Sequence, residues 1–222
     1  MKNVLNHLIC LFLLIQPCLA ELAIINDKDG YTNLRKSASG KSAVVAKILD
    51  HEIFNIQMYK RKGNWIPVEY KKTKGYMHLS RITPLSKMKQ YKGKSLSIVV
   101  VNQPFDKSKH KITMKKFGSE DDGDAYSLVE KIDGKKVWGT DGGLPNREVK
   151  SITITLDGKK FNVDKSLYSN LYQMHNHVEL ITKKDDTYYI QQFASDGAGS
   201  YLIVWSVSKA KGVQVTVAEA EF

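Results

Sequence analysis

The chain has 222 residues, and its 34 lysines and arginines outnumber its 23 aspartates and glutamates, which gives a formal net charge of +11. Hydrophobic residues make up 42% of the chain and charged residues 26%, a balance that is typical of a folded protein and excludes a disordered or collagen-like one. No stretch reaches the roughly 18 consecutive apolar residues that a membrane-spanning helix needs. The length allows one or two domains, each with a hydrophobic core.

The first twenty residues have the pattern of a secretory signal peptide. Lys2 gives a basic start, residues 8–15 are an unbroken apolar run, and the small residues Cys18 and Ala20 stand at positions −3 and −1 of a cut after Ala20. The alternatives are a buried N-terminal helix, an uncleaved anchor or a lipoprotein signal, but the apolar run is too short to span a bilayer. We therefore expect a periplasmic or secreted protein.

Export changes the composition of the mature chain. Both cysteines, Cys10 and Cys18, leave with residues 1–20, so the mature chain has neither a disulfide nor a thiol nucleophile. A net charge of +10 remains, and only four of the basic residues in the chain are arginine. Lysine carries a hydrated point charge. It lacks the planar guanidinium of arginine, which binds phosphates and bases through two hydrogen bonds at once. We therefore expect weak attraction to an anionic envelope component and no nucleic-acid partner.

Residues 21–85 contain short β-strands separated by turns, the pattern of a small barrel. Four segments look like the successive signatures of a bacterial SH3 (SH3b) domain, namely GYTNLR (30–35), VVAKI (44–48), NWIPV (64–68) and GYMHLSRI (75–82). Residues 21–85 thus resemble that family in the order and spacing of its segments. Pro67 departs from the pattern and indicates an edge position or a bulge, since proline cannot donate to a β-ladder.

The resemblance implies a non-catalytic module of an exported protein, and several SH3b domains bind peptidoglycan. It implies a groove lined here by Tyr31, Asn33, Arg35, Trp65, Tyr70 and Tyr76. Aromatic faces suit sugar rings and peptide stems, and a guanidinium suits a carboxylate. The alternative is that Trp65 and Tyr76 belong to the barrel core, while Asn33 and Arg35 hold the first loop in place.

The second half of the chain is predicted to be a separate β domain. Residues 86–94 are charged, poor in apolar residues and typical of a linker, and residues 95–222 return to a β pattern. We therefore predict an all-β protein, with a small SH3-like barrel followed by a larger antiparallel β sandwich or barrel that has one short helix.

Two local signals in this half fix the expected structure more closely. Asp157-Gly158 is a strong hairpin signal, and its two-residue turn sets Ile154 opposite Phe161 on one face of the sheet. Asp164 follows the hairpin and is predicted to cap the short helix.

Two glycine-rich loops of the C-terminal half, at residues 137–145 and 195–201, each contain one aspartate. Glycine lets the backbone lie close to a ligand, and carboxylate and hydroxyl groups supply hydrogen-bonding partners. The second candidate ligand site therefore consists of Asp141, Asp196, Ser200 and Tyr201. The alternative is a pair of tight β-turns in which aspartate binds its own backbone. The loops also resemble those of an uncharacterised family of exported bacterial proteins, so this resemblance gives no known activity that could be expected here.

Signals for metals and catalysis are weak. His175 and His177 alternate on a predicted strand and present two imidazoles to one side, but the pattern marks no third zinc ligand. Residues 120–124 offer carboxylates for calcium without the spacing of an EF-hand loop. The sequence has no nucleophile elbow and no phosphate-binding loop. We therefore predict no metal, no cofactor and no enzymatic activity.

These patterns favour an exported non-catalytic protein that binds peptidoglycan or another anionic envelope component. Two alternatives stay open. One is a cell-wall hydrolase whose C-terminal active site uses Asp141, Asp196 or a metal at His175 and His177. The other is an inhibitor or interaction protein whose positive surface binds an acidic protein partner.

Overall fold

The computed structural model describes residues 21–119, 123–195 and 197–219, and it confirms the all-β prediction. The strands pair antiparallel in every sheet, and the helical segments of the described residues are 3-10 turns of three residues each. Within these ranges no helix has the length and apolar character that crossing a membrane requires. The predicted signal peptide, residues 1–20, lies outside the described residues.

The N-terminal half forms one sheet of seven strands in the described residues. They are β1 (Glu21–Ile25), β2 (Tyr31–Arg35), β3 (Val44–Leu49), β4 (Phe54–Ile56), β5 (Trp65–Tyr70), β6 (Thr73–His78) and β7 (Ile82–Pro84). Their order in the sheet is β3-β2-β6-β5-β4-β1-β7. Alternate side chains of these strands, among them Leu34, Ile48, Ile66 and Met77, are fully buried and form the core of this half.

Pro67 lies in β5, opposite the point where the neighbouring strand β4 has ended. The ladder between β4 and β5 stops at the Ile56–Val68 pair, and the Gln57 N–H then donates to the Pro67 carbonyl at 3.1 Å. The nitrogen and carbonyl of one residue face the same side of a strand, so the missing N–H of Pro67 faces this open side. The edge position expected from the sequence is therefore wrong for β5, which lies between β6 and β4. Proline is tolerated there because the ladder with β4 has ended where its missing N–H would need a partner.

The C-terminal half forms three further sheets in the described residues. Its strands are β8 (Leu96–Pro104), β9 (Ile112–Phe117), β10 (Tyr126–Ile132), β11 (Lys135–Lys136), β12 (Arg147–Leu156), β13 (Lys159–Asn162), β14 (Leu180–Lys184), β15 (Thr187–Ala194), β16 (Tyr201–Ser208) and β17 (Gly212–Glu219). They are ordered β13-β12-β8, β14-β15-β16-β17 and β11-β10-β9. Ile154 pairs with Phe161 across the Asp157-Gly158 turn, which confirms the predicted hairpin register.

The helix predicted after Asp164 is a single 3-10 turn, Lys165–Leu167. The Asp164 carboxylate caps it by accepting from the Ser166 N–H at 2.8 Å. The chain then leaves the helical conformation because Leu171 forms a bridge with Trp138 and is buried in the core. Tertiary packing thus overrides the local helical signal.

Strand β16 lies at the centre of the molecule, since all eight of its residues are buried. On one face, Ile203 and Trp205 pack with residues of β8 and β12. On the other face, Leu202 and Val204 pack with Leu22 and other residues of the N-terminal half. The four-stranded sheet therefore forms the middle of three layers.

We call the second of these contacts the inter-half interface. It consists of Leu22, Ile24, Ile53 and Leu85 from the N-terminal half and Tyr189, Leu202, Val204 and Ala218 from the C-terminal half. Residues 86–94, predicted to be a linker, lie along β14, where the Tyr91 N–H donates to the Ile181 carbonyl at 2.7 Å. Gln90 forms a bridge with Thr182 beside it. The two halves are therefore joined by an apolar contact and by backbone pairing.

Candidate functional site

A groove on the N-terminal sheet collects four of the six residues that the sequence assigned to a ligand site. The N-terminal groove has a volume of about 360 Å³, and Tyr31, Asn33, Arg35 and Trp65 lie in its wall. The first three come from alternate positions of β2, and alternate side chains of a strand point to one face. The pleat of a single strand therefore explains why these residues meet.

Charged side chains at the rim of the N-terminal groove are held in place by hydrogen bonds. Arg81 Nη1 lies 2.8 Å from Asp27 Oδ1, and the Thr32 hydroxyl donates to Asp27 Oδ2 at 2.8 Å. Burial acts to raise the pKa of Asp27, but the bonds from Thr32, the Asp29 backbone and Arg81 outweigh it and lower this pKa. Asp27 therefore stays ionised and fixes the half-exposed Arg81 guanidinium at the rim.

The aromatic groups of the N-terminal groove have defined neighbours. The Trp65 ring meets His78 edge to face, with 5.5 Å between the ring centroids. The Lys47 ammonium lies 3.4 Å from the Tyr31 ring centroid. Arg35 donates to the Ser42 carbonyl at 2.8 Å and so holds the first loop, as the alternative interpretation expected. The groove thus offers two aromatic rings beside cationic and polar groups, which suits a sugar with polar substituents.

Tyr70 and Tyr76 lie outside this groove. Tyr70 is buried in the core of the N-terminal half, and burial raises the pKa of its hydroxyl. Tyr76 lines a different pocket of about 260 Å³, together with Glu69 and Lys74. The sequence could not separate these two tyrosines from Tyr31, because all three stand in strands that alternate between buried and half-buried positions.

The two glycine-rich loops of the C-terminal half pack against each other. A Cβ atom added to Gly199 would lie 2.7 Å from Asp141 Oδ1 and 2.7 Å from the carbonyl carbon of Thr140, and because the latter is a backbone atom this contact requires glycine. The buried Ser200 hydroxyl donates to the Gly197 carbonyl at 2.8 Å, and the buried Tyr201 hydroxyl donates to the Tyr172 carbonyl at 2.7 Å. Ser200 therefore stabilises the second loop internally, Tyr201 anchors it to Tyr172, and neither lines an open site.

Asp141 is exposed beside these loops, whereas Asp196 lies outside the described residues. The structure thus brings Asp141 to the second loop, but it does not place the pair of carboxylates that a hydrolase would use.

A polar cleft of about 460 Å³ lies close to the second loop. It is lined by Asn146, Arg147, Gln173, His175 and Ser195. Gln173 has a φ of 57° and Ser195 a φ of 66°, in the left-handed region that few residues other than glycine adopt. Sequence reasoning included Ser195 and His175 in candidate motifs but missed Arg147 and Gln173, because no local pattern joins them.

The segment that carries His175 and His177 is irregular and not a strand. The His177 N–H donates to His175 Nδ1 at 3.2 Å, and His177 Nε2 lies 3.3 Å from Glu179 Oε1. The buried Gln192 amide donates to the carbonyls of both histidines, at 3.2 and 3.1 Å. The backbone of this pair is therefore fixed, but within the described residues its imidazoles do not belong to a group of three donor atoms that all lie within 4.8 Å of one another.

A different group of side chains meets the distance requirement for a metal. Within the described residues, donor atoms of Asp50, His51 and Asp185 all lie within 4.8 Å of one another. Sequence reasoning missed this group, since Asp185 stands 134 positions after His51 in the chain. Of the acidic segment considered for calcium, residues 120–122 lie outside the described residues.

No protein-family model, no curated protein and no solved structure matches this chain.

Proposed function

We propose that this chain is an exported, non-catalytic protein with an SH3b-like N-terminal half, whose N-terminal groove binds peptidoglycan. The observation that carries the proposal is the convergence of Tyr31, Asn33 and Trp65 on one groove of about 360 Å³. Aromatic rings pack against the apolar faces of sugar rings, and polar groups beside them pair with hydroxyl and amide substituents. A glycan strand with peptide stems offers both kinds of surface.

The net charge of the chain favours an anionic ligand. In the groove wall Arg35 and Arg81 stand beside the carboxylates of Asp27 and Asp29. The positive excess therefore comes from the neighbouring Lys47 and from the chain as a whole, which carries a net charge of +11. The carboxylates of peptide stems are attracted to such a surface, and dissolved salt screens this attraction over about 10 Å. Binding should therefore weaken as the ionic strength rises.

The hydrolase and the inhibitor remain alternative hypotheses that no specific observation favours. Ser200 and Tyr201 are engaged in bonds to backbone carbonyls, and Asp141 is exposed at the surface. A wall-binding function needs none of these groups.

The test is co-sedimentation of the purified protein with insoluble peptidoglycan at low and high salt. Tyr31→Ala removes an aromatic wall of the groove, and we expect about tenfold weaker binding. Tyr59→Ala is the matched control, because Tyr59 is 57% exposed in the same half and does not line the groove. Circular dichroism verifies that both variants fold. Absence of sedimentation at every salt concentration, or equal binding by Tyr31→Ala and wild type, would disprove the proposal.

A further inference from the structure

Three potential metal ligands meet at one end of the inter-half interface. Asp50 and His51 belong to the loop between β3 and β4, and Asp185 belongs to the turn between β14 and β15. His51 Nε2 lies 3.5 Å from Asp50 Oδ2 and 3.9 Å from Asp185 Oδ2. The group therefore combines ligands from both halves of the chain.

The other side-chain polar atoms of Asp50 and His51 have hydrogen-bonding partners of their own. Asp50 Oδ1 accepts from the Lys184 ammonium at 2.6 Å and from the His51 N–H at 2.9 Å, which leaves Oδ2 facing the histidine. His51 Nδ1 lies 3.2 Å from the hydroxyl of Tyr189, a residue of the inter-half interface. When Nδ1 donates to this hydroxyl, Nε2 carries the lone pair that faces the two carboxylates.

From this geometry we propose that Asp50 Oδ2, His51 Nε2 and Asp185 Oδ2 bind a zinc ion that joins the two halves of the molecule. Tetrahedral zinc holds its nitrogen and oxygen ligands at about 2.0–2.2 Å, so neighbouring ligands lie roughly 3.4 Å apart. The observed separations of 3.5 and 3.9 Å need little adjustment. The side chain of Asp185 is 69% exposed and stands in a turn, so it is free to make this adjustment. A water molecule takes the fourth position.

The donor set favours zinc over calcium and magnesium, which prefer oxygen ligands alone. The neighbouring charges fit a dication as well. Lys184 balances one carboxylate, Asp50 and Asp185 contribute two negative charges, and Asp186 adds a third in the same turn.

The competing description is a protonated His51 that bridges the two carboxylates without a metal. Titration calorimetry with zinc, on full-length protein that has been stripped with a chelator, separates the two descriptions. We expect one zinc ion per chain, and we expect Asp185→Asn to weaken its binding by at least about tenfold. Asn tolerates the φ of 52° found at this position, so the variant should fold.

Asp186→Asn is the matched control, because it removes the same charge from the same turn but leaves the three ligands in place. Wild type and Asp186→Asn should both gain thermal stability when zinc is added, since zinc binds the folded state, and Asp185→Asn should not. Absence of zinc binding by the wild type would overturn the proposal. Equal binding by Asp185→Asn, or loss of binding in His175→Ala instead, would overturn it as well. None of these results depends on the N-terminal groove.

Discussion

The first glycine-rich loop requires glycine at position 139. Its φ is 101°, and a Cβ atom at this position would lie 2.3 Å from the Tyr172 carbonyl oxygen and 3.0 Å from Tyr201 Cε1. Both neighbours are buried, and the Tyr172 oxygen already accepts the Tyr201 hydroxyl. The glycine therefore serves the packing of the loop and leaves no room for a larger residue.

Gly139→Ala should destabilise the protein substantially. The substitution strains a positive φ and pushes against a backbone atom that cannot move alone, so we expect the free energy of unfolding to fall by about 3 kcal/mol. Gly143→Ala is the control in the same loop, because no atom lies within 4 Å of the added Cβ and its φ is not positive. Urea denaturation of the three proteins measures the difference. Equal stability of both variants would contradict this account of the loop.

At the scale of an element, the irregular segment 173–177 replaces a strand beside β8, an edge of its sheet. Asn176 Oδ1 accepts from the Val100 N–H at 2.6 Å, and Asn176 Nδ2 donates to the Val100 carbonyl at 3.2 Å. Asn102 Nδ2 donates in turn to the Met174 carbonyl at 2.9 Å. Side-chain amides thus satisfy backbone groups that a neighbouring strand would otherwise pair, which covers the exposed edge.

Asn176→Ala should weaken this edge. The substitution leaves the N–H and carbonyl of Val100 to water, and we expect a loss of about 1 kcal/mol in the free energy of unfolding. Amide hydrogen exchange at Val100 should become faster than in the wild type. Asn162→Ala on β13 is the control, because the side chain of Asn162 is exposed and makes a long 3.5 Å contact with Thr153. Unchanged exchange at Val100 would show that the amide does not hold the edge.

The strands were readable from the sequence wherever apolar and polar residues alternate, and the Asp-Gly turn also fixed the register of β12 and β13. The same alternation in β2 brought Tyr31, Asn33 and Arg35 to one groove. The contact of β16 with Leu22 could not be predicted, because local patterns do not specify which distant surfaces meet.

Nothing in the sequence showed where residues 86–94 lie. Their lysines predicted a linker, and the structure adds that the backbone of Tyr91 pairs with β14 while those side chains stay in water. The group of three potential metal ligands could not be predicted from the sequence for a related reason. Asp50 and His51 stand in one turn, Asp185 stands in another, and only the inter-half interface brings them together.

At the scale of the whole molecule, three buried tyrosines lie in three different contact zones. Tyr201 belongs to the core between β12 and β16, Tyr189 to the inter-half interface, and Tyr172 to the cluster with Val129 and Ile132 of β10. Burial raises the pKa of all three hydroxyls, for Tyr172 to about 12, because a phenolate loses its hydration inside the protein. Three separate buried contact zones therefore each contain a hydroxyl that resists ionisation while the chain is folded.

The protein should consequently lose stability in alkali. Below about pH 10 these tyrosines are neutral in the folded and unfolded states alike, so their contribution is fully present. As the pH rises from about 10 towards 12, the unfolded chain releases protons that the folded chain keeps, and unfolding becomes more favourable. Tyr172→Phe should reduce this decline, whereas Tyr126→Phe should not, because Tyr126 is 55% exposed. Urea denaturation at a series of alkaline pH values measures the slope, and an equal slope in Tyr172→Phe and wild type would contradict the assignment.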